Sequence, residues 1–524
     1  MNPGVHDPGV HNPGAHDPGE TERDFADLAA LIRARAGERP DHPALLLGAE
    51  QLGYAALDRA IDRVAASLQR DGLGVGEVVA FCAEASIEYL SVLLGCLRAG
   101  LAFAPLPPSA DAGSIMAMAV DAGARLLFLD RAGAQRLRRE PQLRRIVLDD
   151  PGAEDGLAGW LALPGSVPEA VTITAATRFA VIYSSGTTAA PKGIVQSHGM
   201  RWAALRAGSA LGYGPDTVSL VSTPLYSNTT LVGLLPTLAL GGSVVLMRKF
   251  EARALLALSQ QHRATHAMLV PVQYARIMAV PDFDAFDLSS YRMKFCTSAP
   301  FAPALKAEVV RRWPGYLVEL YGMTEGGGTC ALLANAFPHK LHTVGQPVPG
   351  HELRVIDEQG RELPRGSTGE IVGRSAGAMD GYHRQPQQSQ AAQWRDAAGK
   401  LFMRTGDIGH FDADGFLVLS DRKKDLIISG GFNIFPSDLE AVLAAHEAVA
   451  EAAVVGVAST EWGETPAAFV VLRQGQEVAA ETLRGWANRR LGKTQRIAQL
   501  EIVDELPRSA IGKVQKRELR ERCR

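Results

Sequence analysis

Residues 183–193 read Tyr183-Ser184-Ser185-Gly186-Thr187-Thr188-Ala189-Ala190-Pro191-Lys192-Gly193. The apolar run before them, Phe179-Ala180-Val181-Ile182, predicts a buried strand, and Ile194-Val195 leads on to His198. Ser184, Ser185, Thr187 and Thr188 offer four hydroxyls, Gly186 and Gly193 free the backbone, and Lys192 adds one cation. A turn so equipped presents N–H groups, O–H groups and a positive charge to a polyphosphate. Its spacing does not fit the pattern G-x-x-x-x-G-K-[ST].

The whole chain, at 524 residues, is large enough for several domains, and 46% of it is apolar. With 54 basic against 57 acidic residues the net charge is −3, so nothing steers it towards nucleic acid or an anionic lipid surface. Its five cysteines, Cys82, Cys96, Cys296, Cys330 and Cys523, are scattered, without zinc spacing. Reduced thiols and a cytoplasmic location are expected. The N-terminus lacks the basic-then-apolar order of a signal peptide. The longest apolar stretch, Leu231–Met247, contains Pro236 and Gly241-Gly242 and is short for a membrane span. It reads as a buried helix, a turn and a strand.

Residues 2–20 repeat a five-residue Pro-Gly unit, which forbids a helix and gives no core face. Residues 1–22 are therefore expected to be a disordered tail, and its His6, His11 and His16 a solvated decoration. From Phe25 onward helical and strand periods alternate: a helix over Leu52–Leu68, a strand at Val78–Cys82, a helix at Ile87–Leu97, and strands at Arg125–Leu129 and Arg145–Leu148. Such alternation predicts an α/β fold with parallel-rich sheets flanked by helices. Beyond Arg354 short strands with Asp/Gly turns suggest a small β-rich subdomain. After Asp421 a compact α+β unit is expected, with helices at Ser437–Ala445 and Ala480–Leu491. The expected division is a large domain over 23–420, a junction at 421–425 and a small domain over 426–524.

Four further segments follow the Ser/Thr/Gly loop in order: Tyr321-Gly322-Met323-Thr324-Glu325, Thr405-Gly406-Asp407, Asp421-Arg422-Lys423-Lys424-Asp425 and Pro507-Arg508-Ser509-Ala510-Ile511-Gly512-Lys513. Together they resemble the adenylate-forming superfamily: acyl- and aryl-CoA synthetases, peptide-synthetase adenylation domains and luciferases. The resemblance spans roughly residues 25–520. It implies an enzyme that joins a carboxylic acid to ATP, releasing pyrophosphate, and passes the acyl group to a thiol. The implied cofactors are ATP, Mg2+ and, as co-substrate, CoA.

Residue by residue, the resemblance gives the loop Ser184, Ser185, Gly186, Thr187, Thr188 and Lys192 to the phosphates, although Ala189 stands where relatives usually have glycine. Ser298 and Ala299 would edge the adenine and Tyr321 would stack on it, beside Gly322. Thr324 would touch the α-phosphate, Asp407 the ribose hydroxyls, and Arg422 the ribose or α-phosphate. Glu325 is the expected metal ligand, since magnesium takes one or two protein carboxylates plus phosphate and water. Lys513 resembles the mobile catalytic lysine and Lys424 the hinge. Gly430, Gly431 and Phe432, in a Ser-Gly-Gly-x-Asn-Ile-x-Pro form like that of CoA synthetases, would line a pantetheine tunnel.

The expected acyl pocket comprises Tyr226, Ser227, Val232, Val272, Cys296, Thr297 and Gly322, with Ser227 where many relatives carry histidine. The set is small and neutral, with no acidic residue to hold an amino group, so amino acids are disfavoured. Aryl acids such as hydroxycinnamates or benzoates, and medium-chain fatty acids, stay open. So do transfer to a carrier-protein phosphopantetheine, a luciferase-type oxygenase and a homologue without turnover. A homodimer is one assembly open to such a chain.

Overall fold

The computed structural model describes residues 25–137, 143–184, 192–429, 432–460, 462–492, 495–509 and 512–523. The Pro-Gly tail with its three histidines lies outside the described residues.

Among the described residues the N-terminal part contains two large sheets that are parallel at their centres. One has seven strands in the order Gly381–Tyr382, Lys192–Ser197, Arg178–Ser184, Ala102–Pro105, Val78–Cys82, Ala124–Leu129 and Arg144–Val147. The last five run parallel to one another, and Lys192–Ser197 is antiparallel to both of its neighbours. Val78–Cys82 and Ala102–Pro105 are buried along their whole length, as continuous apolar runs predict for strands covered on both faces. The helix Ile87–Arg98 that covers them starts at Ser86, whose hydroxyl accepts the Tyr89 N–H. It packs on helix Tyr54–Arg70, where a Cβ on Gly95 would come within 2.4 Å of Val64.

That second helix buries Leu57, Ile61, Val64 and Leu68, the residues whose spacing predicts it, but it begins two residues later than expected. Leu52 instead pairs with Leu45 in a hairpin of Pro43–Leu47 and Glu50–Gly53. That hairpin edges a nine-stranded sheet, continuing through Ser243–Leu246, Val218–Val221, His266–Leu269, Met293–Cys296, Tyr316–Tyr321, Cys330–Leu333 and Gln346–Pro347. The stretch Leu231–Met247 resolves as expected into helix Asn228–Ala239, a turn with Gly241 at φ 88°, and strand Ser243–Leu246. No helix among the described residues is long and apolar enough to cross a membrane.

Residues 352–422 form a small antiparallel sheet of Glu352–Ile356, Gly369–Arg374, Leu401–Phe411, Gln393–Arg395 and Leu417–Arg422. Beyond Asp425 a separate sheet joins Ile427–Ser429, Phe432–Ile434, Gly463–Leu472, Val449–Ser459 and Gln499–Ile502. Helices Pro436–Ala444 and Ala480–Asn488 bury Leu439, Leu443, Leu483 and Ala487 on one face. Helix Lys516–Arg522 buries Leu519 on the other. All five cysteines are free thiols, four of them buried.

Candidate active site

The loop quoted at the outset joins two antiparallel strands, Arg178–Ser184 and Lys192–Ser197, with Ser184 opposite Lys192. Ser185, Gly186, Thr187, Thr188 and the Ser184 side chain lie outside the described residues, as do Gly430, Gly431 and the Phe432 side chain. Lys192 is described, and its ammonium stands 5.2 Å from the centre of the Tyr382 ring. Gly193 is required by packing: a Cβ there would meet Val181 at 2.9 Å and Tyr183 at 3.2 Å. The Tyr382 hydroxyl donates to Glu325 Oε1 at 3.0 Å, so an aromatic ring links the end of the loop to the expected metal ligand. Burial and the Glu325 carboxylate push the Tyr382 hydroxyl well above its ordinary range, which keeps it a donor.

Glu325 is held from both sides. The Met379 N–H donates to its backbone carbonyl at 2.8 Å, and the next residue, Gly326, sits at φ 74° against Gly377. A single carboxylate with one oxygen accepting from Tyr382, and no second partner among the described residues, suits a hard cation that also takes phosphate oxygens. The preceding Thr324 offers its carbonyl to the Gln196 amide at 2.9 Å.

Three of the motifs meet at a second cluster. The Tyr321 hydroxyl donates to Asp407 Oδ2 at 2.9 Å, and Arg422 Nε stands 3.2 Å from Asp407 Oδ1. The register makes this inevitable, because Asp407 and Arg422 face each other on adjacent strands. Gly406, at φ 70°, turns the chain, and the Asp407 N–H is then held by the Thr405 hydroxyl at 3.1 Å. Burial first, then Asp407, raise the Tyr321 hydroxyl far above its ordinary range.

Lys513 reaches this cluster from the C-terminal part. Its turn is built by Gly512 at φ 77°, by Ser509 N–H to the Lys513 carbonyl at 2.8 Å, and by the Arg508 guanidinium to the Gly512 carbonyl at 2.7 Å. The turn packs so closely on Val272 that a Cβ on Gly512 would lie 2.5 Å from it. Burial, followed by the Arg422 guanidinium, lowers the Lys513 ammonium to about 8, with Asp407 and Glu325 pulling the other way. Lys424 sits in the single turn Lys423–Asp425, and burial and Arg422 lower its ammonium too.

The acyl-pocket residues divide. Ser227 caps helix Asn228–Ala239, and Thr229 on that helix bonds the Ser298 hydroxyl at 2.6 Å. Ser298 has φ 81°, rare for a residue with a side chain, so this contact holds a bent connection beside Thr297 and Ala299. Val232 packs with Phe295 and Met268. Cys296, one residue on, faces the opposite side of the sheet, fully buried with Tyr274 and Trp313 in a separate core. The structure therefore does not bring Cys296 to the others, because neighbouring residues on a strand point to opposite faces. Tyr226 lies beside Glu84 and Ser109, and Val272 meets the Lys513 turn. Sequence reading missed Tyr382 and Gln196. Their signals are weak: one aromatic after Gly381, and one polar residue within an apolar strand.

Comparison with known proteins accords with this arrangement. Residues 32–383 match the AMP-binding enzyme family and residues 438–513 the AMP-binding enzyme C-terminal domain. The chain is 33% identical to 4-coumarate–CoA ligase-like 9 of Oryza sativa subsp. japonica, over 95% of this chain and 90% of that protein. It is 31% identical to the fatty acid–acyl-carrier-protein ligase ScoC of Streptomyces coeruleorubidus, over 93% and 94%. The structure of amide bond synthetase McbA from Marinactinospora thermotolerans superposes with a TM-score of 0.84 at 28% identity, covering 95% of this chain and 99% of that one. With two matched domains, the same fold and the motif residues converging between them, the chain belongs to the AMP-binding, adenylate-forming enzyme family.

Proposed function

We propose that the protein is an AMP-forming acid–thiol ligase that activates an aryl or medium-chain fatty acid as its acyl-adenylate and transfers the acyl group to CoA. The observation that carries the reading is the docking of the Lys513 turn on Val272, where the Lys513 ammonium feels the charges of Arg422, Asp407 and Glu325. The carboxylate attacks the α-phosphorus and pyrophosphate departs, so two anions must be brought together and developing charge neutralised. Tyr321 and Asp407 hold the adenosine, the Asp407 carboxylate accepting from the ribose hydroxyls. Thr187, Thr188 and Lys192 hold the outer phosphates, with Ser184, Ser185 and Gly186 supplying the rest of the cradle. Magnesium bound at Glu325 would supply charge neutralisation at the phosphates. Lys513 bridges the acid and the α-phosphate, stabilising charge that grows only in the transition state.

The second half-reaction needs Lys513 out of the way. Rotation at Lys424, in the junction 421–425, would carry the domain 426–524 round and bring Gly430, Gly431 and Phe432 to the site for the thiol. Ser227, Val232, Val272, Thr297 and Gly322 bound a small neutral acid site, with Tyr226 at its edge.

Pyrophosphate and AMP release are to be measured with ATP, magnesium and a panel of hydroxycinnamates, benzoates and C6–C12 fatty acids, with and without CoA. AMP formation that requires one acid and CoA together is the expected result. Pyrophosphate release with no CoA-dependent turnover would favour a carrier-protein acceptor, the reading supported by the similarity to ScoC. Absence of acid-dependent AMP for every acid would refute ligase activity on this panel.

A further inference from the structure

Helix Pro436–Ala444 begins without a cap of its own. Phe435 precedes it and has no side-chain acceptor, and Pro436, its first residue, has no N–H. The Asp438 N–H reaches back to the Phe435 carbonyl at 3.1 Å. The Ser437 N–H instead leaves the helix and donates at 2.8 Å to Oδ2 of Asp421, 16 positions earlier in the chain. The other oxygen of that carboxylate, Oδ1, accepts the Arg422 N–H at 3.1 Å. A carboxylate so placed makes a charge-assisted bond and meets the positive end of the helix dipole. Asp438 shares that end: burial, then the Asp421 charge, raise its carboxyl.

The bond joins two parts that a rotation would separate. Asp421 stands on strand Leu417–Arg422, opposite Ile408 in the small antiparallel sheet of residues 352–422. The helix belongs to the C-terminal part, where Leu439 and Leu443 pack with Val449, Val454 and Leu483. Lys424, the proposed hinge, lies between them. Asp421 and Ser437 meet in the arrangement in which Gly512 touches Val272 and the Lys513 ammonium feels Arg422, Asp407 and Glu325. Turning the chain at Lys424 keeps Asp421 on its strand, carries Ser437 away and leaves that N–H to water.

We propose that Asp421 is a positioning residue for acid activation. By capping helix Pro436–Ala444 from across the hinge, it holds the C-terminal part where Lys513 is docked, and it lets go when that part turns for the thiol step. The inference rests on the ligase reading and adds to it a latch on one of the two arrangements. A cap present in only one arrangement shifts the balance towards it by the worth of the bond, without touching the reacting atoms.

Hydrogen exchange reads the bond, and the two half-reactions read the bias. In Asp421→Ala the Ser437 amide should exchange about fivefold faster or more, with the amides of strand Val449–Ser459 unchanged. Single-turnover pyrophosphate release, with an acid that the wild-type enzyme accepts, should slow about threefold to tenfold, the range that loss of a helix cap supplies. Thioester formation from supplied acyl-adenylate and CoA should run at the wild-type rate or faster. A merely structural cap predicts instead that both half-reactions fall together with the melting temperature. Asp421→Asn keeps an acceptor oxygen but loses the charge, and should recover part of the lost adenylation. Should Asp421→Ala fail to fold, Asp421→Asn must itself show the split. An unchanged Ser437 exchange rate, unchanged adenylation, or equal loss in both half-reactions would overturn the inference and leave the ligase reading standing. A wild-type enzyme that activates no acid would overturn both.

Discussion

At the scale of single residues, the chemistry depends on charges placed where burial magnifies them. Lys513 is lowered to about 8 by burial and Arg422, so in the empty enzyme its proton leaves as pH rises through that value. Only the ammonium can neutralise developing charge, so kcat/KM for ATP in acid-dependent pyrophosphate release should fall above about pH 8. Lys513→Ala should lower that half-reaction by roughly two orders of magnitude or more and abolish the limb. CoA attack on supplied acyl-adenylate should continue near the wild-type rate. Equal loss in both half-reactions, measured separately, would remove the assigned role. Lys513 was legible in the sequence because Pro507-Arg508-Ser509 and Gly512 frame it. Tyr382 was not, because its partners Glu325 and Lys192 are 57 and 190 positions away in the chain (382 − 325 and 382 − 192).

At the scale of elements, turns rather than helices hold the site residues. Gly326 follows Glu325 at φ 74°, where a Cβ would lie 1.8 Å from the Gly377 carbonyl oxygen. Gly326→Ala combines a left-handed backbone with a clash against backbone that cannot retreat. It should lower the melting temperature by several degrees and raise the magnesium concentration needed for half-maximal activity, read by thermal scanning and magnesium titration. Two buried histidines make the N-terminal elements acid-sensitive. His198, at the start of a helix, and His266, on a strand, are both lowered by burial to about 4. The unfolded chain binds protons at each below about pH 6.5 while the folded chain does not, so stability is lost as pH falls from 6.5 towards 4. Denaturation midpoints measured across that window should decline. A flat profile for a His198→Gln, His266→Gln double variant would assign the decline to these two residues.

At the scale of the whole molecule, the arrangement depends on one domain lending a residue to another. Gly512 touches Val272 across that boundary, so Gly512→Ala can relieve its clash only by undocking the C-terminal part. Adenylation should fall about tenfold or more, with little change in melting temperature and thioester formation from supplied adenylate preserved. Lys424 lies in the turn between strands Leu417–Arg422 and Ile427–Ser429, and Arg520 pairs with Asp425 beside it at 2.9 Å. Lys424→Pro fixes φ at that turn and should uncouple the two half-reactions, sparing one while lowering the other. Unchanged overall turnover would refute the hinge.

The sequence by itself determined the family, the α/β class and the order of the site segments. These are local matters: an apolar run buries itself on both faces, a helix follows its 3.6 period, and a Ser/Thr/Gly loop or a Gly-Lys turn is recognisable within a dozen residues. Tertiary structure alone decided which segments face one another. Register set Asp407 against Arg422, the pleat turned Cys296 into the core on the face opposite Phe295 and Val232, and packing enclosed Arg201 with the Gln196 and Asn228 amides. Such pairings depend on distances between residues far apart in the chain, which no local period encodes; they are fixed only when sheets, caps and cores close around them.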